Sequence, residues 1–496
     1  MDYNSLKSGT DIRGIASDKG GKEVNLTTDA VYDITAAFVA WYVNKYQKNP
    51  HELVIAVGHD SRITGETIAR YVQNALINAG VTVIDCGLSS TPAMFMTTVD
   101  LKTDAAIEIT ASHHPFDRNG LKFFTPEGGL DGSDISEIVA LANNGEEIIC
   151  NCAGVVVKLN YMSVYAARLR RMICDAVGKR EDEKPLNGYK IVVDAGNGVG
   201  GFYARDVLER LGADITGSRF LEPDGMFPNH IPNPEDGKAM ESICSAVLEA
   251  KADLGLIFDT DVDRAGCVGS DGKEINRDRL IALAAYIAAE GRRDAVIVTD
   301  SVTSDGLKTF LEDELGCTHY RYRRGYKNVI NKAIELVNEG MDCPLAIETS
   351  GHAALRENYF LDDGAYLVTK IVIELARGKD INSILSTLKM PCEEKEVRFT
   401  INCEHFKVYG QRVIDALEEF ASTRPEYRIA DDNREGIRIS TENGWFLLRL
   451  SVHDPVMPLN FASDVKGGIK KDAEALKSFF SQFDCLDISA LDSLII

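Results

Sequence analysis

The amino-acid sequence predicts an α/β fold, with three similar mixed-sheet α/β domains followed by a smaller α+β C-terminal domain. Its 496 residues are too many for one compact core, because domains usually hold about 100–200 residues. A strand–loop–helix–strand pattern occurs three times along the chain. The region after residue 391 instead shows alternating strands and one helix near 410–421, which is typical of an α+β domain.

Each copy of the pattern opens with an apolar, β-branched segment of the kind found in strands that are buried on both faces. The predicted elements are strand 53–62 with its loop, helix 65–79 and strand 81–87; strand 189–201 with its loop, helix 202–211 and strand 213–217; and strand 294–300 with helix 304–315 and a short apolar segment.

Residues 156–184 are predicted to form one long connecting helix. Tyr161, Val164, Ala167 and Leu169 give it an apolar stripe, and a charged run followed by a proline ends it. The predicted boundaries are domain I over 1–155, the connecting helix over 156–185, and domains II, III and IV over 186–290, 291–390 and 391–496.

Composition restricts the function. A net charge of −22 argues against nucleic acid as a partner, and it requires a local basic region or metal ions wherever an anionic phosphate binds. The 11 cysteines are scattered and form no paired metal motif, which favours free thiols in a reducing compartment. No signal peptide or membrane-spanning stretch is apparent, so we expect a cytoplasmic protein with no membrane partner, although a transit peptide removed earlier would leave no trace.

The segment Thr110–Pro115 follows a predicted buried strand and presents Ser112 as a candidate nucleophile. A serine hydroxyl is a weak nucleophile that needs activation. His113 can orient or polarise it, and Lys122 can act as a base if its environment favours the neutral amine. The alternative is an ordinary capped loop, for which Ser and Thr are equally suited.

Asp259, Asp261 and Asp263 follow an apolar strand at a spacing of two residues. Three close carboxylates repel one another unless a cation lies between them, and hard oxygen ligands suit Mg²⁺ or Ca²⁺. A calcium-binding EF-hand loop is excluded, because its sixth and twelfth positions are Arg264 and Ser270 instead of Gly and Glu. An acidic surface turn is the alternative.

Two further segments carry polar side chains at alternate positions. Glu348, Ser350 and His352 can grip sugar hydroxyls if they point the same way, although a turn with a core histidine is equally compatible. Arg449, Ser451 and His453 would lie on one side of a strand as a phosphate clamp, or on a half-solvated strand face. Additional cations are Arg13 near the N-terminus and the segment Arg323–Lys327.

The segment Gly196–Gly201 matches the G-x-G-x-x-G dinucleotide fingerprint after a strand, so a Rossmann dehydrogenase is a second hypothesis. The acidic residue expected at the end of the following strand is not clear, because ADITGSRF places Thr and Gly there. A tight strand-to-helix turn is therefore the favoured interpretation.

Taken in order, TASHHP, DTDVDR, ETSGH and RLSVH resemble the four site loops of the α-D-phosphohexomutase superfamily, which includes phosphoglucomutases and phosphomannomutases. The resemblance spans residues 8 to about 464, and SGTDIRG, VGHDSR, NGLK, VVDAGNGVG and PDGMFPNHIPNP support it. The family has three mixed α/β domains and a smaller C-terminal domain around a central cleft. That arrangement agrees with the organisation predicted from the residues.

The resemblance implies a phosphoserine at Ser112 and one Mg²⁺ per chain, held by Ser112 and the three aspartates. It implies Lys122 as the general base or acid, with His113 and His352 as helpers. The other implied site residues are Arg13 and Arg264 for the transferring phosphoryl group, Glu348 and Ser350 for the sugar hydroxyls, Lys327 as a ligand contact, and Arg449, Ser451 and His453 for phosphate.

The implied activity interconverts hexose 1-phosphate and hexose 6-phosphate, of glucose, mannose or both, with hexose 1,6-bisphosphate as intermediate and activator. A monomer or a homodimer is expected. The fourth loop departs from the family pattern R-x-S-G/N-T-E-P, because His453 replaces the threonine. A phosphoglucosamine mutase and a non-catalytic sugar-phosphate-binding homologue therefore stay open as alternatives.

Overall fold

A computed structural model of the protein describes residues 2–451 and 454–495. The chain divides into two compact units. The first comprises the chain up to Asn276 together with Ser350–Ser383, and the second comprises Arg277–Thr349 and the chain from Ile384 onward. No helix among the described residues is both long and apolar enough to cross a bilayer.

The first unit begins with a mixed eight-stranded sheet, and its strands lie in the order Lys7–Ser8, Asp11–Ile15, Arg118–Thr125, Ala105–Ile109, Val54–His59, Thr82–Leu88 and Val156–Lys158, with Gly128–Gly129 paired to Arg118–Thr125. The helices of this region are Thr28–Tyr46, Gly65–Asn78, Thr91–Asp100 and Gly132–Asn143. Val54–His59 runs parallel to both of its neighbours, so the loops after three strands emerge at the same edge.

The first unit continues with a four-stranded sheet in the order Glu274–Ile275, Ala265–Gly269, Leu254–Phe258 and Ile191–Asp194. Leu254–Phe258 is buried throughout, as expected for an apolar strand between two others. Its other elements are the helices Tyr161–Val177, Gly237–Ala250 and Gly364–Ala376 and the hairpin Ala353–Leu355 with Leu361–Asp362. The short helix Ile381–Ile384 lies in the chain where this unit ends.

The prediction of one helix over 156–184 is wrong at both ends. Val156–Lys158 is an edge strand parallel to Thr82–Leu88, consistent with its valines, and the helix covers only Tyr161–Val177. The Asn160 side chain caps the helix start by accepting from the Ser163 N–H, and Gly178 ends it in the left-handed conformation.

The predicted apolar stripe of this helix is also partly wrong. Val164 is 42% exposed, whereas Tyr165, Ala166 and Ile173 are buried. The domain boundaries stay predictions.

The second copy of the repeated pattern departs from prediction after its first strand. Residues 202–211 form a π-helical turn, Tyr203–Leu208, and a 3₁₀ turn, Glu209–Leu211, in place of an α-helix. The strand predicted over 213–217 is reduced to an isolated bridge between Lys190 and Asp214. The Asp214 carboxylate accepts from the Thr216 N–H, and this local turn competes with an extended strand.

The second unit contains a three-stranded parallel arrangement and an antiparallel C-terminal sheet. The parallel strands are, in spatial order, Thr318–Tyr322, Val296–Asp300 and Leu345–Ile347. The helices of this part are Arg277–Ala288, Asp305–Thr309 and Tyr326–Asn338, and the π-turn Phe310–Glu314 extends the second of them. The C-terminal sheet has the order Arg428–Ile429, Ile437–Ser440, Gly444–Leu448, Val456–Ser463, Glu393–Ile401 and Leu486–Asp487, with helices Phe406–Ser422, Gly468–Phe480 and Ser489–Ile495.

Candidate active site

The predicted nucleophile lies on the loop that follows the strand Ala105–Ile109. Ser112 is 3% exposed and has φ of +50°, a left-handed conformation that non-glycine residues rarely adopt. Its N–H donates to Thr110 Oγ1 at 2.9 Å. The surrounding contacts must hold this backbone in place, because such conformations cost about 1–3 kcal/mol and persist only where other interactions enforce them.

Arg62 supplies those contacts, and the sequence analysis did not identify it as a site residue. Its buried guanidinium donates to the carbonyl oxygens of Ser112, His114 at 2.7 Å and Pro115 at 2.7 Å. Asp60 in turn binds Arg62 Nε at 3.0 Å and accepts from Thr110 Oγ1 at 2.7 Å. The available signal was the pair of opposite charges in VGHDSR, directly after a buried strand.

The three aspartates converge, as predicted for a curled loop. The loop turns at Val262, whose φ is +66°, and one oxygen from each of Asp259, Asp261 and Asp263 lies within 4.8 Å of the others. All three carboxylates are buried, and within the described part of the chain Oδ1 of Asp261 and of Asp263 has no hydrogen-bond partner. Buried, partnerless carboxylate oxygens fit a hard divalent cation such as Mg²⁺.

The glycine-rich turn packs against this aspartate loop. A Cβ atom added to Gly198 would lie 2.7 Å from the Thr260 carbonyl oxygen, and one added to Gly201 would lie 2.0 Å from the Leu221 carbonyl oxygen. The glycines are therefore required for close backbone packing. This agrees with the structural interpretation of the motif rather than with a dinucleotide site.

Ser112 and the aspartate cluster are in direct contact. Ser112 Oγ donates to Asp259 Oδ2 at 3.1 Å, and Arg264 Nε reaches the same oxygen at 3.1 Å. Burial, together with the neighbouring carboxylates of Asp263 and Asp261, raises the pKa of Asp259 well above its usual value. The cluster therefore carries unfavourable anionic repulsion that a cation would relieve.

Lys122 provides part of that compensation. Its Nζ lies 2.5 Å from Asp263 Oδ2 and 3.2 Å from Asp261 Oδ2. Thr91 Oγ1 also donates to Asp261 Oδ2, at 2.5 Å. The predicted base is thus within hydrogen-bonding distance of two predicted metal ligands.

Two histidines border the cluster and differ in charge. His113 Nδ1 lies 3.4 Å from Ser112 Oγ, and burial together with the cation Arg264 lowers the pKa of His113 to about 2. His352 hydrogen-bonds to Asp362 and lies 4.0 Å from Asp263. Burial opposes charging of His352, but Asp362 and Asp263 outweigh it and raise its pKa to about 9. His113 is therefore neutral and His352 is protonated near neutral pH.

The other predicted site residues of the first unit, Arg13 and Ser350, have fewer contacts with the aspartate cluster among those described above. Arg13 Nη2 pairs with Asp11 Oδ2 at 2.7 Å, and its charge acts on His113 and on the neighbouring His114. Ser350 is buried.

Glu348, Lys327, Arg449 and Ser451 belong to the second unit. Glu348 Oε1 accepts from the Gly325 N–H at 2.5 Å, beside the helix Tyr326–Asn338 that carries Lys327. The predicted alternation of Glu348, Ser350 and His352 is wrong, because one strand ends at Ile347, the next begins at Ala353, and Gly351 between them has φ of +94°.

The predicted strand through Arg449 and Ser451 is also wrong. The strand Gly444–Leu448 ends before them, and the Ser451 N–H instead donates to the Val456 carbonyl oxygen at 2.9 Å. Arg449 is buried beside carboxylates, with Glu396 at 3.5 Å and Glu435 at 3.7 Å. His453 lies outside the described residues.

Comparison with known proteins identifies the class. The phosphoglucomutase/phosphomannomutase α/β/α domains I, II and III match residues 5–148, 165–272 and 276–390. A phosphoglucomutase of Neisseria gonorrhoeae is 28% identical over 474 residues, which cover 94% of this chain and 95% of the relative. A phosphomannomutase/phosphoglucomutase of Pseudomonas aeruginosa is 28% identical over 482 residues, covering 97% and 95%.

A crystal structure of a phosphoglucomutase/phosphomannomutase family protein from Burkholderia thailandensis is also similar. It is 25% identical, has a TM-score of 0.78, and the match covers 97% of this chain and 98% of that one.

The fold and these similarities define a hexose phosphate mutase, an isomerase of the intramolecular phosphotransferase type. The chain belongs to the phosphoglucomutase/phosphomannomutase family of the α-D-phosphohexomutase superfamily. The predicted superfamily, fold class and enzyme class are confirmed. The family is in general magnesium-dependent, and the aspartate cluster is a site that fits this metal.

Proposed function

We propose that this enzyme interconverts hexose 1-phosphate and hexose 6-phosphate through a phosphorylated Ser112 and a hexose 1,6-bisphosphate intermediate. The observation that carries the proposal is the 3.1 Å hydrogen bond from Ser112 Oγ to Asp259 within the buried aspartate cluster. A nucleophilic hydroxyl and a cluster of hard ligands are the two parts that metal-assisted phosphoryl transfer requires.

In this proposal, Asp259, Asp261, Asp263 and a phosphoserine oxygen of Ser112 would hold one Mg²⁺ per chain. When bound, the ion would supply charge neutralisation at the transferring phosphoryl group. Arg264 and Arg13 contribute positive charge from the protein. Because Arg264 already donates to Asp259 at 3.1 Å, its guanidinium lies next to the proposed phosphorylation site.

The transfer step breaks the bond between phosphorus and Ser112 Oγ and forms one between phosphorus and a sugar oxygen. The proton of the attacking sugar hydroxyl passes to Lys122 acting as general base. The bisphosphate then reorients, and its other phosphoryl group returns to Ser112 by the reverse chemistry. His352, protonated and fixed by Asp362, and neutral His113 assist as proton-bearing and orienting groups.

We infer that glucose or mannose phosphates, or both, are the substrates, since similar proteins bear both names. Glu348 and Ser350 would bind sugar hydroxyls, Lys327 would contact the ligand, and Arg449, Ser451 and His453 would hold the non-transferring phosphate. Hexose 1,6-bisphosphate would also act as activator. An amino-sugar phosphate is the alternative, motivated by His453 in place of the family threonine.

We further infer a monomer or homodimer that works in the cytoplasm without nucleic-acid or membrane partners. The lack of disulfide bonds among the cysteines that the structure describes fits a reducing compartment.

A coupled assay on glucose 1-phosphate, mannose 1-phosphate and glucosamine 1-phosphate, each with and without Mg²⁺, tests the proposal. We expect turnover of the first two that is lost on chelation, together with a phosphate on Ser112 detected by mass spectrometry. Preference for glucosamine 1-phosphate would select the alternative substrate. Sugar-phosphate binding without any turnover would identify a non-catalytic homologue and overturn the proposal.

A further inference from the structure

The guanidinium of Arg449 is engaged on every nitrogen. Its Nη1 atom lies 3.7 Å from Glu435 Oε1, its Nη2 atom lies 3.5 Å from Glu396 Oε2, and its Nε donates to Asn460 Oδ1 at 3.4 Å. A bidentate contact with a phosphate uses two of these nitrogens at once. A phosphate that binds Arg449 in this way therefore has to replace at least one carboxylate.

Glu396 is fixed on both of its oxygens. Its Oε1 accepts from Arg398 Nε at 2.8 Å, and its Oε2 accepts from Asn460 Nδ2 at 2.9 Å. Burial raises the pKa of Glu396, but the hydrogen bonds from Asn460 and Arg398 and the charge of Arg449 outweigh it and lower the pKa below its usual value. Glu396 therefore stays ionised and in place when a ligand approaches Arg449.

Glu435 is held through one oxygen and faces Arg449 with the other. Its Oε2 accepts from Ser301 Oγ and, at 3.1 Å, from the Arg324 N–H. The 3.7 Å between Oε1 and Arg449 Nη1 is longer than a hydrogen bond. The carboxylate can therefore turn about Oε2, give up Arg449, and keep both of its closer donors.

A cavity beside Glu435 gives the carboxylate room to turn. Glu435 lines this cavity together with Arg434 and Arg438, among other residues. Arg438 is buried over the ring of Trp445, so this wall of the cavity carries a fixed positive charge. A carboxylate that turns away from Arg449 thus remains close to other cations, and the movement does not leave a buried anion uncompensated.

We propose that Glu435 is an internal competitor for the phosphate at Arg449. Its carboxylate faces the guanidinium in the empty enzyme and is displaced when the sugar phosphate binds. This inference rests on the proposed role of Arg449 in holding the non-transferring phosphate, and it makes Glu435 a determinant of the affinity of that site.

The burial of Arg449 explains why a competitor is useful. Burial lowers the pKa of Arg449, and Glu435 opposes this more strongly than the other neighbouring charges do. A buried guanidinium without a counter-ion is costly, so the empty site needs a carboxylate, and exchange for a phosphate keeps the charge paired throughout. The proposed bisphosphate must also leave Arg449 in order to reorient. A carboxylate that returns to the guanidinium favours that release.

The test is a double-mutant cycle read out by calorimetric binding of glucose 6-phosphate in a Ser112→Ala background, where turnover does not consume the ligand. We expect Glu435→Gln to bind glucose 6-phosphate about fivefold more tightly, a typical coupling between contacting residues, and to have no effect when Arg449→Gln is also present. Glu442→Gln is the matched control, because Glu442 is 75% exposed and pairs with Lys471 at the surface, and it should leave affinity unchanged.

Steady-state kinetics separates competition from structural support. In the active enzyme, Glu435→Gln should lower KM for glucose 1-phosphate at saturating Mg²⁺, which is the opposite of the effect expected for Arg449→Gln. Glu435→Asp serves if the glutamine variant folds poorly. Its carboxylate is withdrawn by one methylene, so glucose 6-phosphate should again bind more tightly than in the parent. Weaker binding in either variant would show that Glu435 orients Arg449 and would overturn the proposal.

The remaining outcomes are distinguishable. Unchanged affinity in Glu435→Gln, or an equal gain with and without Arg449, would overturn the role of Glu435 and leave the proposed function intact. If Arg449→Gln alone binds glucose 6-phosphate as tightly as its parent, the proposed phosphate contact at Arg449 is itself wrong, and this inference is overturned with it.

Discussion

The aspartate cluster of the first unit and the surroundings of Arg449 in the second differ in the sign of the charge at the centre of each region. The first places three buried carboxylates around one point and balances them with Lys122 and Arg264. The second buries a guanidinium and balances it with Glu396 and Glu435, at 3.5 and 3.7 Å. The contacts in the first region reach 2.5 Å, so its ions are the more tightly paired.

The difference suggests how each region takes a ligand. A cation entering the aspartate cluster must replace or displace close ion pairs inside a buried site, where electrostatic interactions are strong. The phosphate that we propose for Arg449 would meet longer ion pairs, which a bidentate contact with the guanidinium can replace more easily. We therefore expect substitutions in the first region to change metal binding and turnover, and substitutions in the second to change substrate affinity.

The largest effect is expected for Ser112→Ala. Removal of the proposed phosphoryl acceptor should lower kcat at least about 1000-fold, because the proposed covalent intermediate forms on this hydroxyl. Mg²⁺ affinity in calorimetry should fall far less, since the three aspartates stay in place. Wild-type turnover in this variant would refute the nucleophile assignment.

Asp261→Asn is expected to weaken Mg²⁺ binding at least about 10–100-fold, because loss of a residue that merely supports a metal ligand already has an effect of that size. Without metal, the variant should melt at the same or a higher temperature than the wild type, because one charge is removed from a repulsive cluster. Calorimetry and thermal unfolding in chelator measure the two effects. A lower melting temperature would show that Asp261 is stabilised by its pairs with Lys122 and Thr91 more than it is destabilised by repulsion.

Arg449→Gln should raise KM for the sugar phosphate about tenfold while Mg²⁺ affinity stays unchanged. Arg398→Gln is a suitable control, because Arg398 is 69% exposed and pairs with the same Glu396. Steady-state kinetics at saturating metal separates KM from kcat. A loss confined to kcat would contradict the assignment of Arg449 to ground-state phosphate binding.

The smallest expected effect is on the pH dependence of stability and concerns His230, which lies in a segment that contacts the aspartate loop. His230 Nε2 lies 3.0 Å from Asp194 Oδ1, and the segment after it places Asn233 3.2 Å from Arg264 Nη1. Burial lowers the pKa of His230, but Asp194 outweighs it and raises the pKa above its ordinary 6.5. The resulting stability is fully present below pH about 6.5 and is lost as pH rises through the raised value.

We therefore expect His230→Gln to flatten the fall in stability that the wild type shows as the pH rises above about 6.5. Denaturant unfolding at several pH values measures this slope. His405→Gln serves as the control, since His405 lies in the other unit. An identical pH dependence in the wild type and in His230→Gln would show that the Asp194 contact does not stabilise the fold.

Elements were predicted correctly where the local sequence pattern decides the structure. Strands such as Val54–His59, Ala105–Ile109 and Leu254–Phe258 follow apolar runs, and the loops after two of them carry Ser112 and the aspartates as predicted. The predictions are wrong where local hydrogen bonding or helix-like patterning competes with pairing to a distant strand. Val156–Lys158 is a strand that pairs with the edge of Thr82–Leu88, and residues 213–217 form a turn because the Asp214 side chain bonds locally.

The sequence by itself determined the superfamily, and it identified the order of the candidate site loops and the serine and aspartates proposed for the site, because these depend on residue types at short spacings. Only the tertiary structure decided which charges meet. That Arg62 holds the Ser112 loop, that Lys122 lies on Asp261 and Asp263, and that Glu435 accepts from Ser301 all depend on residues far apart in the chain. Coulomb and hydrogen-bond energies depend on distance and burial, and neither can be read from spacing along the sequence.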